Sequence, residues 1–371
     1  MRSLVLDPDE AAFADEVAAF FAGRAGGRGF FSGRGGATRE LYRELGAKGW
    51  LSLTWPVAAG GSGHSPVYDY LVWDAAAYSR AARPDLGPGI VAHMIVHHGT
   101  DAQRAAYLPG IAAGKTCFAL GYSEPEAGSD LTGLRTRAVR DGDHYVVSGE
   151  KCWTSDAHHG DYLWLLCRTG SRESRARGLT LLIVSLGTPG VTVTPIETID
   201  GHRLNQVFLD DVAVPVDQRV GEEGAAWGLI REALAIERHL QLLPGRVRAD
   251  LDDFGRLMDD LAIAARPDVR AATQELTARY LAVEAASLHT LAALCAGQPG
   301  VVEAATTKLL GTRLAQDIPR RALDLAGPAG LDRASMPAFL WRQSIMETIA
   351  GGTSEVMLSI LGREALGLGA R

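Results

Sequence analysis

Apolar positions along this chain repeat with two different periods, and the change of period divides it. From Asp7 to Phe21 apolar residues fall at helical spacing behind an Asp-Pro start signal, and Thr38–Gly49, Val67–Arg80 and Ala102–Ala113 repeat the pattern. The Gly/Arg-rich stretch Gly23–Gly36 and the segment Ala58–Gly63 between them read as loops. From Cys117 to about Glu222 the pattern shortens to strand-like runs: Thr136–Val139, Tyr145–Val147, Tyr162–Cys167, Leu179–Val184, Val191–Pro195 and Gln206–Leu209. Asp-Gly, Ser-Gly and Thr-Pro-Gly turns separate them. After Gly224 the helical period returns in Ala226–Leu243, Val247–Ala264, Val269–Cys295, Val301–Asp324, Ala338–Ile349 and Ser354–Leu366. The first of these is bounded by Gly221 and Gly224 in front and by Pro244-Gly245 behind. The order predicts an α+β chain of three domains. These are a helical one over 1–117, a β-barrel or sandwich over 118–222, and a helical bundle over 223–371. It is not the strand–helix alternation of a dinucleotide-binding fold.

Composition narrows the function classes. Of the 371 residues 47% are hydrophobic and 22% charged, enough apolar material for a sizeable core. The formal charge of -7 offers no footprint for nucleic acid or an anionic membrane. The four cysteines, Cys117, Cys152, Cys167 and Cys295, form no C-x-x-C pair and no zinc spacing, so no metal is expected and the thiols read as reduced. No window reaches the ~18 consecutive apolar residues of a membrane span, and the N-terminus lacks a signal core. The expectation is a cytoplasmic protein without membrane or nucleic-acid partners.

Three strings carry candidate chemistry. Leu120-Gly-Tyr-Ser-Glu-Pro-Glu-Ala-Gly-Ser-Asp130 offers backbone N–H groups and hydroxyls to a heteroatom-rich ligand, or is simply a turn. In Gly149-Glu-Lys-Cys-Trp-Thr-Ser-Asp156 a Trp flanked by hydroxyls supplies a flat face and donors, or is a core Trp. Gly351-Gly-Thr-Ser354 precedes a helix whose positive end suits an anion, while Thr353 or Ser354 serves equally as its N-cap.

Together these strings resemble the acyl-CoA dehydrogenase family. The first is similar to its E-P-x-A-G-S-D signature, the second to G-x-K-x-W-x-T/S-N/D, and Ile349–Glu355 to its closing motif. Gly178–Val184, Asn205–Pro215 and Val220–Trp227 extend the likeness. The resemblance implies FAD as cofactor. Tyr122 and Ser123 would meet the flavin pyrimidine edge, with Gly128 in the same loop. Ser129 would lie near the flavin diphosphate and the acyl entry, and so would touch substrate as well. Trp153 would flank the isoalloxazine and Ser155 donate to its N5. Gly327, Thr353 and Glu355 would complete the cofactor site. It further implies an acyl-CoA or acyl-carrier-protein thioester as substrate, an electron-transfer flavoprotein as acceptor, and a homodimer or homotetramer.

Abstraction of the α-proton needs a base, and burial raises a carboxylate towards that role. Many family members carry a Glu where this chain has Gly351. A second location, in the isovaleryl and long-chain branches, corresponds to Glu237, with Arg238 and Gly351 then lining the substrate. Helical geometry agrees. At about 100° per residue the stripe Arg231, Glu232, Arg238 and His239 is polar, and Glu237 falls in the apolar sector with Ile230 and Ala233. A structural ion pair is the alternative use of such a carboxylate. The Arg-x-x-Phe element that many members use on a neighbouring subunit's FAD is not present, since Arg248 and Phe254 lack that spacing. Asp324 stands where a Gln is common. Two further readings follow: a dehydrogenase of carrier-bound acyl groups, with Arg172, Arg175 and Arg177 as a basic rim, or a non-catalytic subunit of a heteromer.

Overall fold

The computed structural model describes residues 5–24, 36–84, 86–241 and 243–369, with the side chains of 36–38 and 235–241 outside that description. In chain order it contains helices α1 (Pro8–Phe21), α2 (Gly36–Ala47), α3 (Pro66–Tyr78), α4 (Ala92–His98) and α5 (Asp101–Ala112). Strands β1 (Phe118–Gly121), β2 (Arg137–Asp141), β3 (His144–Lys151), β4 (Tyr162–Arg168), β5 (Leu179–Ser185), β6 (Val191–Glu197), β7 (Arg203–Pro215) and β8 (Arg219–Val220) follow. The chain ends in α6 (Ala226–Gln241), α7 (Pro244–Asp260), α8 (Pro267–Cys295), α9 (Val301–Ala326), α10 (Met336–Ser344) and α11 (Ser354–Ile360). The mixed helical and sheet architecture is the one read from the periodicities.

The described residues of 32–64 and 84–236 form one compact unit. Its sheet runs β6-β7-β3-β2-β4-β5-β8, with β1 parallel to β4. Alternation along the strands makes two apolar layers. On one face Trp164, Leu166, Leu181 and Ile183 pack with Ile90, Met94, Ile95, Tyr107 and Ile230 of the helices. On the other face Leu163, Leu165, Leu182 and Val184 meet Tyr145, Val147, Val207, Leu209 and Val212. The sheet therefore folds over a filled interior, as a sandwich does. β4 and β5 are covered on both faces, which is why they read as unbroken apolar runs. α4 escaped the sequence reading because it is only 7 residues long: Ala92, Met94 and Ile95 are buried, while His93, His97 and His98 make its less buried side. Glu232, expected on a polar stripe of α6, accepts from His93 Nε2 at 3.3 Å and His98 Nε2 at 3.0 Å, tying α6 to α4.

The described residues of 1–31, 65–83 and 237–371 form the other unit. Asp7 caps α1 through a reciprocal box with Glu10. α7, α8 and α9 share a core of Val247, Phe254, Met258, Leu276, Tyr280, Leu314 and Ile318. Pro244-Gly245, read as the rear boundary of the preceding helix, does follow the end of α6 at Gln241 and also opens α7. Pro244 is its first residue, and Gly245 lies so close to α3 that a Cβ there would sit 2.2 Å from Asp74 O. α10 and α11 run back along α9: Gln316 donates to Ser344 O at 3.1 Å, and Met357 and Ile360 pack on Ala305.

Beneath this layer lies a buried ionic chain. Arg80 Nη2 contacts Asp250 Oδ1 and Asp253 Oδ2, both at 2.7 Å. Arg246 lies 3.9 Å from Asp250 and donates to Glu347, whose main-chain oxygen accepts from Lys308 at 2.7 Å and Thr312 at 3.2 Å. The three cations and three carboxylates balance. Burial alone would raise the Glu347 carboxyl, but Arg246 and Lys308 hold it below the usual 4.5. Glu347→Ala is expected to cost about 3–5 kcal/mol in urea denaturation, because it strands two buried cations. Glu355→Ala, at an exposed position, is expected to stay within about 0.5 kcal/mol. Since its folded pKa is depressed, the Glu347 contribution is present above pH 4.5 and disappears as pH falls through the folded value.

Candidate active site

Two of the strings meet in the sheet unit around one buried ion pair. β1 delivers Tyr122 and Ser123 to the start of a loop, and β3 ends at Lys151. Lys151 Nζ, fully buried, donates to Glu124 Oε1 at 2.8 Å and to Tyr122 O at 3.1 Å. The Glu124 carboxylate also receives the N–H of Arg135 at 2.6 Å and of Thr136 at 2.8 Å. Burial alone would raise this carboxyl, yet Lys151 and those N–H groups keep it below its usual value, so it is ionised at neutral pH. Cys152 N donates to Ser123 O at 2.9 Å, which closes the contact between the strings. Glu124 and Lys151 stand inside the two strings, one directly after Ser123 and the other shortly before Trp153, but residue type and order alone assign them no role.

Beyond Lys151 the chain leaves the sheet and exposes Trp153. This residue is 59% exposed and has φ 59, in the left-handed region. Such a conformation costs a non-glycine residue roughly 1–2 kcal/mol. A large exposed aromatic held in a strained conformation marks a functional site more often than a structural one. Ser123 and Ser155 are half-buried nearby in sequence, while Gly128 and Ser129 are exposed. The structure thus brings Tyr122, Ser123, Trp153 and Ser155 onto joined segments. Asp130 continues the loop, receiving Thr132 at 2.5 Å and Arg175 at 2.7 Å. Arg175 is therefore engaged within its own unit, although it is exposed, as Arg172 and Arg177 are.

The other candidates lie in the helical unit. Gly351, with φ 65, and Gly352, with φ 95, make the turn before α11. Thr353 caps α11, its hydroxyl accepting from Val356 N at 3.1 Å. The capping role expected for Thr353 is present, and the helix it opens continues from Ile360 through a π-helical turn at Leu361–Ala365, close to the end read from the sequence. Glu355 is exposed on the first turn. Gly327 ends α9 with φ 57. α11 packs at Ala305 near the start of α9, so Gly327 and Thr353 stand at opposite ends of that helix, separated by about 30 Å at ~1.5 Å per residue. Glu237 and Arg238 lie on α6, and their side chains are outside the described residues.

Lys151→Met is expected to destabilise the protein by about 3–5 kcal/mol, since it leaves Glu124 ionised and unpaired in the interior. The double variant Glu124→Gln with Lys151→Met should recover part of that loss in urea denaturation, by an amount a double-mutant cycle measures.

Comparison with known proteins closes the question of kinship. The chain matches three family models in succession: the acyl-CoA dehydrogenase N-terminal domain over 7–115, the middle domain over 119–212 and the C-terminal domain over 227–366. It is 36% identical to the acyl-CoA dehydrogenase FadE26 of Mycobacterium tuberculosis, covering 91% of this chain and 89% of that one. Among solved structures, a steroid acyl-CoA dehydrogenase described as Tcur3481-Tcur3483 superposes with a TM-score of 0.91 at 31% identity, over 99% of both chains. The ChsE4-ChsE5 complex of Mycobacterium tuberculosis superposes at 0.87 with 34% identity, over 100% of each. This chain belongs to the acyl-CoA dehydrogenase family of FAD-dependent oxidoreductases acting on CH–CH groups.

Proposed function

We propose that this enzyme desaturates an acyl-CoA thioester between its α and β carbons, with Glu237 as the base that takes the α-proton. The observation that carries the assignment is an elimination. Gly351 has no side chain to offer, Glu347 is locked between Arg246 and Lys308, and Glu355 is exposed on α11. Glu237 remains, one turn beyond the buried Ala233 on α6, at the second base location that the resemblance implies.

The residues present fit FAD. The exposed face of Trp153 suits a flat ring system, and the Ser123 and Ser155 hydroxyls with the Gly128–Ser129 backbone suit its polar edges. Tyr122, Thr353, Glu355 and Gly327 are the remaining residues assigned to hold it. When bound, FAD supplies the acceptor for the hydrogen that leaves the β carbon as hydride. The chain itself orients the thioester against that acceptor and removes the α-proton to the Glu237 carboxylate. Arg238, Ser129 and Gly351 would line the acyl group. The relative described as a steroid acyl-CoA dehydrogenase points to a steroid-bearing acyl chain as the substrate class. An electron-transfer flavoprotein is the proposed acceptor of the electrons.

A second subunit is part of this reading. Gly327 and Thr353 stand too far apart along α9 to meet one cofactor. Ile349, Leu366 and Leu368 expose apolar surface in the C-terminal segment, each more than 60% accessible. The two solved relatives carry paired names, which favours a heteromer over the homodimer or homotetramer implied by the resemblance.

Glu237→Gln is expected to lower turnover with a steroid-type acyl-CoA by roughly 10²–10⁴-fold while leaving flavin absorbance per chain unchanged. Wild-type turnover in this variant would sink the base assignment. If the chain purified alone retains no FAD but gains it on co-expression with a second family member, the heteromeric reading stands. Full occupancy alone would favour the homo-oligomer.

A further inference from the structure

Of the residues around the Trp153 turn, one has no part in the account above and is placed to control it. Asn205 lies on β7 with no exposed surface. Its main-chain oxygen accepts from Thr154 N at 2.9 Å, and its Nδ2 donates back to Thr154 O at 2.8 Å. The Thr154 peptide is therefore gripped from both sides by a single residue. On the other flank Cys152 N is fixed to Ser123 O. Trp153, between these two clamps, is held in the left-handed conformation that it would not adopt freely.

The second Nδ2 hydrogen points to His158 Nδ1 at 3.0 Å. This contact settles the orientation of the amide. A carbonyl oxygen such as Thr154 O cannot donate, so the nitrogen of Asn205 must face it, and His158 must then accept. His158 consequently keeps Nδ1 bare. Burial, together with His159 and Arg203, lowers the His158 pKa, against the pull of Asp156 and of the Asn205 bond, which agrees with a neutral ring. Asn205 Oδ1, by contrast, is buried without a hydrogen-bond partner among the described residues. An unsatisfied buried amide oxygen costs about 1–3 kcal/mol, which this position carries while it keeps the two Nδ2 bonds.

We infer that Asn205 is a positioning residue for the desaturation reaction. Its two-sided hold on the Thr154 peptide sets the face of Trp153 and the hydroxyl of Ser155 towards the flavin, and His158 anchors its amide. The inference rests on the reading that Trp153 and Ser155 frame the flavin. No other side chain type reproduces the arrangement: Asp presents an anion to Thr154 O, and Ala or Leu leaves that oxygen and His158 without their donor.

The test uses the full chain with FAD, and also the flavin-free protein, with Asn205→Ala, Asn205→Asp and Trp153→Phe. In the flavin-free protein, the near-UV circular dichroism lost on Trp153→Phe reports the fixed indole. Asn205→Ala is expected to lose the same signal while far-UV dichroism stays unchanged. With FAD bound, Asn205→Ala should shift the visible flavin bands and lower kcat by roughly 10- to 100-fold, with KM within about twofold. Should Asn205→Ala fail to fold, the nearly isosteric Asn205→Asp decides. Its kcat relative to wild type should rise as pH drops from 8 to 5.5, where protonation of the introduced acid restores a donor to Thr154 O. An unchanged indole signal and kcat in Asn205→Ala, or a flat pH ratio in Asn205→Asp, would overturn the inference. If instead Trp153→Phe and Ser155→Ala leave the flavin bands and kcat untouched, the reading of the flavin site fails, while the flavin-free dichroism still tests the clamp.

Discussion

An ammonium group with no exposed surface, Lys151 Nζ, sits between a carboxylate and a main-chain oxygen in the sheet unit, and the geometry of two separate strings depends on it. Removing a charge from water is expensive unless its partners are fixed and complete. Here completeness comes from both sides: Glu124 satisfies Lys151, while the N–H groups of Arg135 and Thr136 satisfy Glu124. The pair cannot shift without breaking several bonds together. It therefore pins the loop after β1 to the end of β3, and every candidate flavin contact in this unit hangs from one of those two points.

The same physics recurs in the helical unit with another outcome. The chain Arg80–Asp250–Arg246–Glu347–Lys308 is largely buried and alternates in sign, and it ends on the turn that leads to Gly351. A carboxylate enclosed by two cations is a poor base, because its charge is already stabilised. Glu347 thus serves as an anchor, and the base is proposed on α6 instead. In both units the ionic groups fix the loops, and Ser123, Trp153 and Ser155 are left outside the ionic network of the sheet unit.

Much of the fold was legible in the chain because each element meets its surroundings on one side. The amphipathic helices α1, α3 and α5 and the strands β2 to β7 announced themselves by period. The elements that were missed are short: α4 has 7 residues, β1 has 4 and β8 only 2. The Pro244-Gly245 pair was ambiguous for a physical reason: proline opens a helix as readily as it follows one. At the site, the strings around Tyr122, Trp153 and Thr353 were visible from residue type and order. Glu124, Lys151 and Asn205 were not, since an acid, a base and an amide mean nothing singly until a fold brings their partners to them.

What the sequence by itself determined is the succession helical, β, helical and the kinship with a flavoenzyme family, because hydrophobic period and long irregular strings are local properties of the chain. Only the tertiary structure decided which charged residues are anchors. Burial and pairing join positions far apart in sequence, as Glu124 with Lys151 and Arg246 with Glu347. Only the tertiary structure, too, showed Trp153 exposed and held in a left-handed turn, because that conformation is imposed by bonds from Ser123 and Asn205 rather than chosen by the residue itself.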